Sequence, residues 1–223
     1  MLKQDNYIRN LIAQGEHLQQ DFKFEISDSR KIARSLVAFA NTAGGKLLIG
    51  VKDNGAIAGV RSDEEFYMVE AAANMYSQPE IIFKTKEWKV EGKIVLEIDI
   101  NKSDKMPHYA KNEEGKWLAY IRTGDKNLLV NRIQLQVWKR EKFGKPVFIE
   151  FRENERLLFD YLDRKKEISL PKLLKLTRMK KQDAEQLLID LILLQIIEIE
   201  FREQITVYKF KEGFDKILED MRY

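Results

Sequence analysis

Between Ile32 and Val51 a helical stripe runs with almost no linker into a glycine pair and then into an unbroken apolar segment. Ile32, Leu36, Val37 and Phe39 fall on one face at helical spacing, and Ser27 or Asp28 stands where a cap is needed. Gly44-Gly45 closes that helix, and Lys46-Leu47-Leu48-Ile49-Gly50-Val51 reads as a buried strand. Upstream, Gln20 to Ile26 alternates polar and apolar residues, the period of a half-buried strand. Downstream, Asp53-Asn54-Gly55 is a turn into Ala56–Val60, so the unit reads strand, helix, hairpin.

Around this unit the spacing of Tyr7, Ile8, Leu11 and Ile12 predicts a first helix ending at Gly15. Further strands are expected at 80–90 and 93–100 about the Glu91-Gly92 turn, at 108–111 and at 117–122. A helix over about 128–140 completes a first domain, 1–145, because Gly144 and Pro146 interrupt the pattern there. The second domain, 146–223, reads as a helix (153–162), a short extended piece (168–170), a helix started by Pro171, and an apolar helix (182–195). Strands at 196–201 and 204–210 and a final helix over 213–223 follow. That order is the order of a winged helix-turn-helix.

Composition removes several chemistries. The 223 residues contain no cysteine and two histidines, so disulfides, thiolate zinc sites and cysteine nucleophiles are excluded, and any metal must be held by carboxylates. Charged residues make up 34% of the chain, yet the net charge is only +3, which excludes a histone-like polycation. Residues 1–145 carry a net +4 and residues 146–223 a net −1. No stretch of about 18 apolar residues and no apolar leader occurs, so a cytoplasmic protein with no membrane partner is expected.

Three features suggest chemistry. Glu16 and Asp21 flank the start of the first strand and Asp53 follows the end of another, so pairing of those strands would converge three carboxylates. Such a set suits Mg²⁺ or Mn²⁺ and metal-activated phosphodiester hydrolysis; ordinary surface acids are the alternative. The glycines of the 38–50 run offer free N–H groups to a phosphate, but they follow a helix C-terminus and lack a P-loop pattern. Gly44 as a helix cap, with Asn41 and Thr42 as local hydrogen-bonders, is the other reading.

Lys23, Lys46, Lys52 and Arg122 are candidate phosphate contacts in the first domain, with Arg122 favoured by its place before the Thr123-Gly124 turn. His108 and Tyr109 are weaker candidates for contact with bases. In the second domain Arg178, Lys180 and Lys181 lie where a recognition helix begins, and Lys172 and Lys175 precede them. The run Leu187–Leu194 is broader than one small core needs, which suggests a homo-oligomer contact.

The phrases Gly15-Glu16, Asp21-Phe22-Lys23, AFANTAGGKLLIGVKDNGAIAGV (38–60), Met106-Pro107-His108-Tyr109 and Tyr120-Ile121-Arg122-Thr123-Gly124 resemble the Schlafen-type AlbA domain family over about residues 10–140. The resemblance implies an α+β domain, a mixed sheet with helices, that engages nucleic acid, DNA or RNA. Bacterial members are described as DNA-binding or, more loosely, ATP-binding. A related eukaryotic domain can be a metal-dependent endoribonuclease acting on tRNA and rRNA through three acids. Motif for motif, Glu16 matches the first acid, Asp53 falls near the third, and Asp21 stands where the family has Glu, one methylene longer. The expected function is thus a homo-oligomeric DNA-binding regulator, with a Mg²⁺/Mn²⁺ endoribonuclease and an ATP-binding protein as the alternatives.

Overall fold

The computed structural model describes residues 2–144 and 146–214. It is a mixed α+β chain in two compact units, Met1–Val130 and Asn131–Tyr223. The first unit contains α1 (Leu2–Ala13), β1 (Gln20–Lys23), α2 (Ser29–Ala40), β2 (Gly45–Ile49), α3 (Glu64–Asn74) and β3 (Ser77–Gln78). It continues through β4 (Phe83–Val90), β5 (Lys93–Ile100), β6 (Tyr109–Lys111), β7 (Trp117–Leu118), β8 (Tyr120–Thr123) and β9 (Lys126–Leu129). The second unit runs α4 (Arg132–Phe143), α5 (Glu153–Lys165), β10 (Ile168–Ser169), α6 (Leu170–Thr177), α7 (Lys181–Leu193), β11 (Ile197–Phe201) and β12 (Thr206–Phe210). The helix expected over 213–223 lies almost wholly outside the described residues.

The main sheet has the order β1-β2-β5-β4. β1 and β2 pair in parallel, Asp21 opposite Leu47, because α2 crosses over between them. β5 then joins β2 antiparallel and β4 closes a hairpin with it. Helices cover both faces of the sheet over β1, β2 and most of β5, while the edge strand β4 is largely exposed. On one side α2 packs Ile32, Leu36, Val37 and Phe39 against Leu47, Ile49 and Ile98. On the other, Ile8 of α1 meets Phe22, Leu48, Trp88 and Val95.

The start and stop of α2 follow from local chemistry. The Asp28 carboxylate accepts the Arg30 N–H at 2.9 Å as an N-cap. At the other end the Gly44 N–H bonds the Phe39 carbonyl at 2.9 Å, with Gly44 at φ +70°. The space around both glycines is full. A Cβ on Gly44 would stand 2.6 Å from the Ile100 carbonyl oxygen, and one on Gly45 would stand 2.4 Å from the Phe39 ring. The glycine pair therefore lets a helix end press onto the sheet, and leaves no cradle for a phosphate.

Residues 61–79, for which the sequence pattern assigns no element, contain α3. Its buried residues include Val69, Ala72 and Ala73, while Tyr67 and Met75 are exposed, so the apolar periodicity is faint. The expected strand 117–122 breaks at Ala119: β7 ends the sheet β3-β6-β7, and β8 turns through Gly124 to pair with β9.

α4 belongs with the second unit, although the pattern break near Pro146 suggests otherwise. Ile133 and Val137 of α4 share a core with Leu158, Leu162, Leu188, Leu191 and Tyr208. This packing also explains the apolar breadth of α7. α4 packs on α7, whose Leu187, Leu188, Ile189, Leu191 and Ile192 are all buried within the unit. Most of the run's apolar breadth is thus taken up by the unit's own core, with Leu193 and Leu194 half-buried at its end. The three-stranded sheet β10-β12-β11 completes the unit. Among the described residues no helix is long and apolar enough to cross a membrane.

Candidate nucleic-acid interface

Parallel pairing of β1 with β2 decides the fate of the acidic set. Convergence of Glu16, Asp21 and Asp53 needs the start of β1 beside the end of β2, which only antiparallel strands provide. In the observed register Asp21 faces Leu47, and Asp53 lies six residues further along, exposed in the turn beyond the other end of the pair. The structure brings Glu16 and Asp21 together and leaves Asp53 apart. Among the described residues no group of three His, Asp or Glu side chains could hold a metal ion.

The Glu16–Asp21 pair is already committed. Glu16 accepts the Phe22 N–H at 2.8 Å. Asp21 takes the Lys23 ammonium at 2.8 Å, the Arg122 guanidinium at 3.4 Å and the Ser35 hydroxyl at 3.4 Å. Burial, then a hydrogen bond with Asp21, pushes the Glu16 carboxyl up to about 7. Burial pushes Asp21 the same way, but its hydrogen bond with Glu16 and the charges of Lys23 and Arg122 outweigh this and hold it below the usual range. A Glu held by the Phe22 N–H beside a doubly ion-paired Asp, with no third carboxylate at hand among the described residues, leaves few lone pairs for a hard cation. These residues do not fit Mg²⁺ or Mn²⁺.

A pH dependence follows from the same pair. Glu16 binds its proton more tightly folded than unfolded, so its stabilising contribution is complete at about pH 4 and fades as pH rises through about 7. Asp21 acts oppositely, its contribution being lost as pH falls through its depressed value. Thermal unfolding followed from pH 5 to pH 8 should show a fall in stability that Glu16→Gln removes; an identical fall in the variant would exclude Glu16 as its source.

Arg122, the favoured phosphate contact, is 2% exposed. Its guanidinium donates to the Gln20 carbonyl at 2.8 Å, the His17 carbonyl at 3.2 Å and Asn127 Oδ1 at 3.1 Å, and lies 5.0 Å from the Phe39 ring centroid. With Asp21 it forms an internal bracket, and it is closed to a polyanion. Asn41 does the same work nearby. Its Nδ2 donates to the His108 and Tyr120 carbonyls, both at 2.9 Å, and its Oδ1 accepts the His108 N–H at 2.8 Å. Asn41 is therefore a long-range tie and not the local hydrogen-bonder its position suggests. Thr42 is both, bonding Ala38 locally and accepting the Arg122 N–H.

The other predicted contacts divide by partner. Lys23 is held by Asp21, and Lys46 by Glu97 at 2.6 Å with Asp99 at 3.6 Å. Lys52 is exposed, its ammonium 5.2 Å from the Phe24 ring centroid. The His108 ring is buried, its nitrogens on the Pro79 carbonyl and the Ser103 hydroxyl, and Tyr109 is half-buried in β6. The buried His108 ring offers no free face for a base.

In the second unit Arg178, Lys180 and Lys181 are all exposed around the tight connection from α6 to α7. Arg178 caps α6 at φ +56° and Lys180 is the N-cap residue of α7. Lys181 stands 3.8 Å from Glu185, which also faces Arg132 at 3.7 Å. The hairpin β11–β12 is nearly neutral in charge, since Arg202 pairs with Glu167 and Glu200 at 2.6 Å each and Lys209 with Glu198 and Glu200.

Sequence reasoning missed one basic group, made by Lys31 and Arg34 of α2 with Lys111 of β6. Two exposed cations three apart on the outer face of an otherwise buried helix were the available signal.

A family model described as Schlafen, AlbA_2 matches residues 16–131. No protein of curated function matches the chain. Among solved structures, the DIP2311 protein from Corynebacterium diphtheriae is 20% identical, with a TM-score of 0.47, over 85% of this chain and 36% of that one. The chain thus spans about a third of that protein's length. The N-terminal domain of a RecG-related protein from Nitrosomonas europaea is also 20% identical, with a TM-score of 0.42, over 58% of this chain and 95% of that domain.

Proposed function

Because the chain belongs to the Schlafen, AlbA_2 family through residues 16–131, we propose that it is a nucleic-acid-binding protein, and that its second unit is a winged helix-turn-helix that engages duplex DNA as part of a regulator. The observation that carries the reading is the exposure of Arg178, Lys180 and Lys181 at the α6–α7 connection. Cations there meet phosphates on either side of a groove, and the N-terminal end of α7 adds the positive end of the helix dipole. The order α5, β10, α6, α7, β11, β12, with the short β10 beside the terminal hairpin, supports the winged-helix assignment. Asp183 and Glu185 in the first turns of α7 disfavour deep insertion. Contact is therefore chiefly with the backbone, and sequence discrimination is modest.

Titration of labelled duplex DNA and labelled RNA by fluorescence anisotropy tests this. The full chain is expected to bind the duplex more tightly as salt falls. Neutralising Lys180 and Lys181 together should weaken binding about tenfold and flatten the salt slope by about 1.8, at about 0.9 per lost phosphate contact. Absence of salt-sensitive binding by the unaltered chain would end the reading. Tighter binding of RNA than of the duplex would end its DNA part.

A further inference from the structure

Several cations of the first unit are matched by carboxylates, Lys23, Lys46, Lys116 and Arg122 among them, while others, such as Lys84, Lys86 and Lys89, are strung along the single strand β4. One seam gathers cations from two elements into a cleft. α2 buries Ile32, Ala33, Ser35 and Leu36, which turns Lys31 and Arg34 outward. Further along the same helix Val37, Ala38 and Asn41 are buried, because β6 and β8 pack across it. The two cations therefore stop where β6 begins, and there β6 contributes Lys111. Arg30, Lys31, Arg34 and Lys111 line one cleft with Tyr120.

Among the described residues Lys31, Arg34 and Lys111 form no ion pair. Arg30 is neutralised by Asp28, and Glu113 is the one acid at the rim. Two of the free cations are also held in place. The Arg34 guanidinium lies 5.3 Å from the Tyr120 ring centroid, and the Lys111 ammonium 5.8 Å from that of Trp117. Cation–π contact fixes long side chains without consuming their charge, so less rotamer entropy is lost when an anion arrives. Residues three apart on a helix stand about 5–6 Å apart at Cβ, a span comparable to that of successive phosphates on one strand.

We propose that this seam between α2 and β6 is a second phosphodiester-binding surface, in which Lys31, Arg34 and Lys111 contact the backbone of a nucleic acid. The inference rests on the nucleic-acid reading above and adds a surface on the first unit. Its chemistry selects a polyanion and no base sequence, since long cations against phosphate oxygens contact no base edge.

The test is titration of the labelled duplex with the full chain at several salt concentrations, using Lys31→Gln, Arg34→Gln and Lys111→Gln combined. The combined variant should bind at least tenfold more weakly, with a salt slope shallower by about 2.7, at about 0.9 per lost contact. A second variant, Lys31→Gln with Lys111→Gln, keeps Arg34 against Tyr120 and so preserves the packing; its slope should be shallower by about 1.8. An unaltered slope in both variants, with unaltered thermal unfolding, overturns the proposal. If the unaltered chain binds while only the Lys180/Lys181 variant loses affinity, this surface fails and the nucleic-acid reading stands. A chain that binds neither duplex DNA nor RNA refutes both.

Discussion

Replacing Arg122 by Leu should destabilise the first unit by about 3–5 kcal/mol, the cost of leaving a buried charge without its partner. Asp21 is 3% exposed and loses its guanidinium, while the Gln20 and His17 carbonyls lose their donor. Lys23, at the edge of the cluster, keeps the carboxylate partly compensated, so the lower half of that range is expected. Arg122→Lys should not restore stability, because one ammonium cannot reach the acceptors that the planar fork serves at once. Calorimetry or urea unfolding of the full chain reads this as an earlier transition of one unit, with the transition of residues 131–223 unmoved. Unaltered stability with a flattened salt slope in DNA binding would instead return Arg122 to the surface role its sequence position suggests.

Gly44→Ala is expected to cost about 2–5 kcal/mol. A left-handed backbone at φ +70° costs an alanine roughly 1–2 kcal/mol. The new methyl also lies 2.6 Å from the Ile100 carbonyl oxygen and 2.9 Å from the Lys102 nitrogen, both main-chain atoms that cannot rotate away. Forcing that junction open adds about 1–3 kcal/mol, as overpacking does elsewhere. Gly124→Ala is the control: its φ is also positive at +59°, but nothing lies within 4 Å of the added carbon, so only the conformational cost remains. Equal losses from the two substitutions would show that backbone conformation, and not close packing of the helix end on β5, requires Gly44.

The contrast between these positions separates what is local from what is not. The helix from Ser29 to Ala40, its Asp28 cap and its glycine stop were legible, since each depends on neighbours within a few residues. The β4–β5 hairpin about Glu91-Gly92 and the parts of the second unit from α5 to β12 were legible for the same reason. α3 was not, because alanine on its inner face carries little periodic contrast. α4 was placed with the wrong unit, because a Gly–Pro interruption marks a break in pattern and says nothing about which core a helix joins.

The candidate site shows the same limit more sharply. Glu16, Asp21, Arg122 and Asn41 all stand in the motifs that resemble the family, within the matched span 16–131. What they do was hidden. Spacing along the chain cannot distinguish parallel from antiparallel pairing, yet that difference keeps Asp53 from Glu16 and Asp21. Nor can it show that Arg122 turns inward to Asp21 and Gln20, or that Lys111 comes to lie beside Lys31 and Arg34, some eighty positions away. The sequence by itself determined most of the elements, their helix stops and turns, and the family, because propensity, periodicity and turn chemistry act over a few residues. Only the tertiary structure decided which charges were buried against one another and which stayed free, because burial and electrostatic pairing depend on distances in space that chain separation does not set.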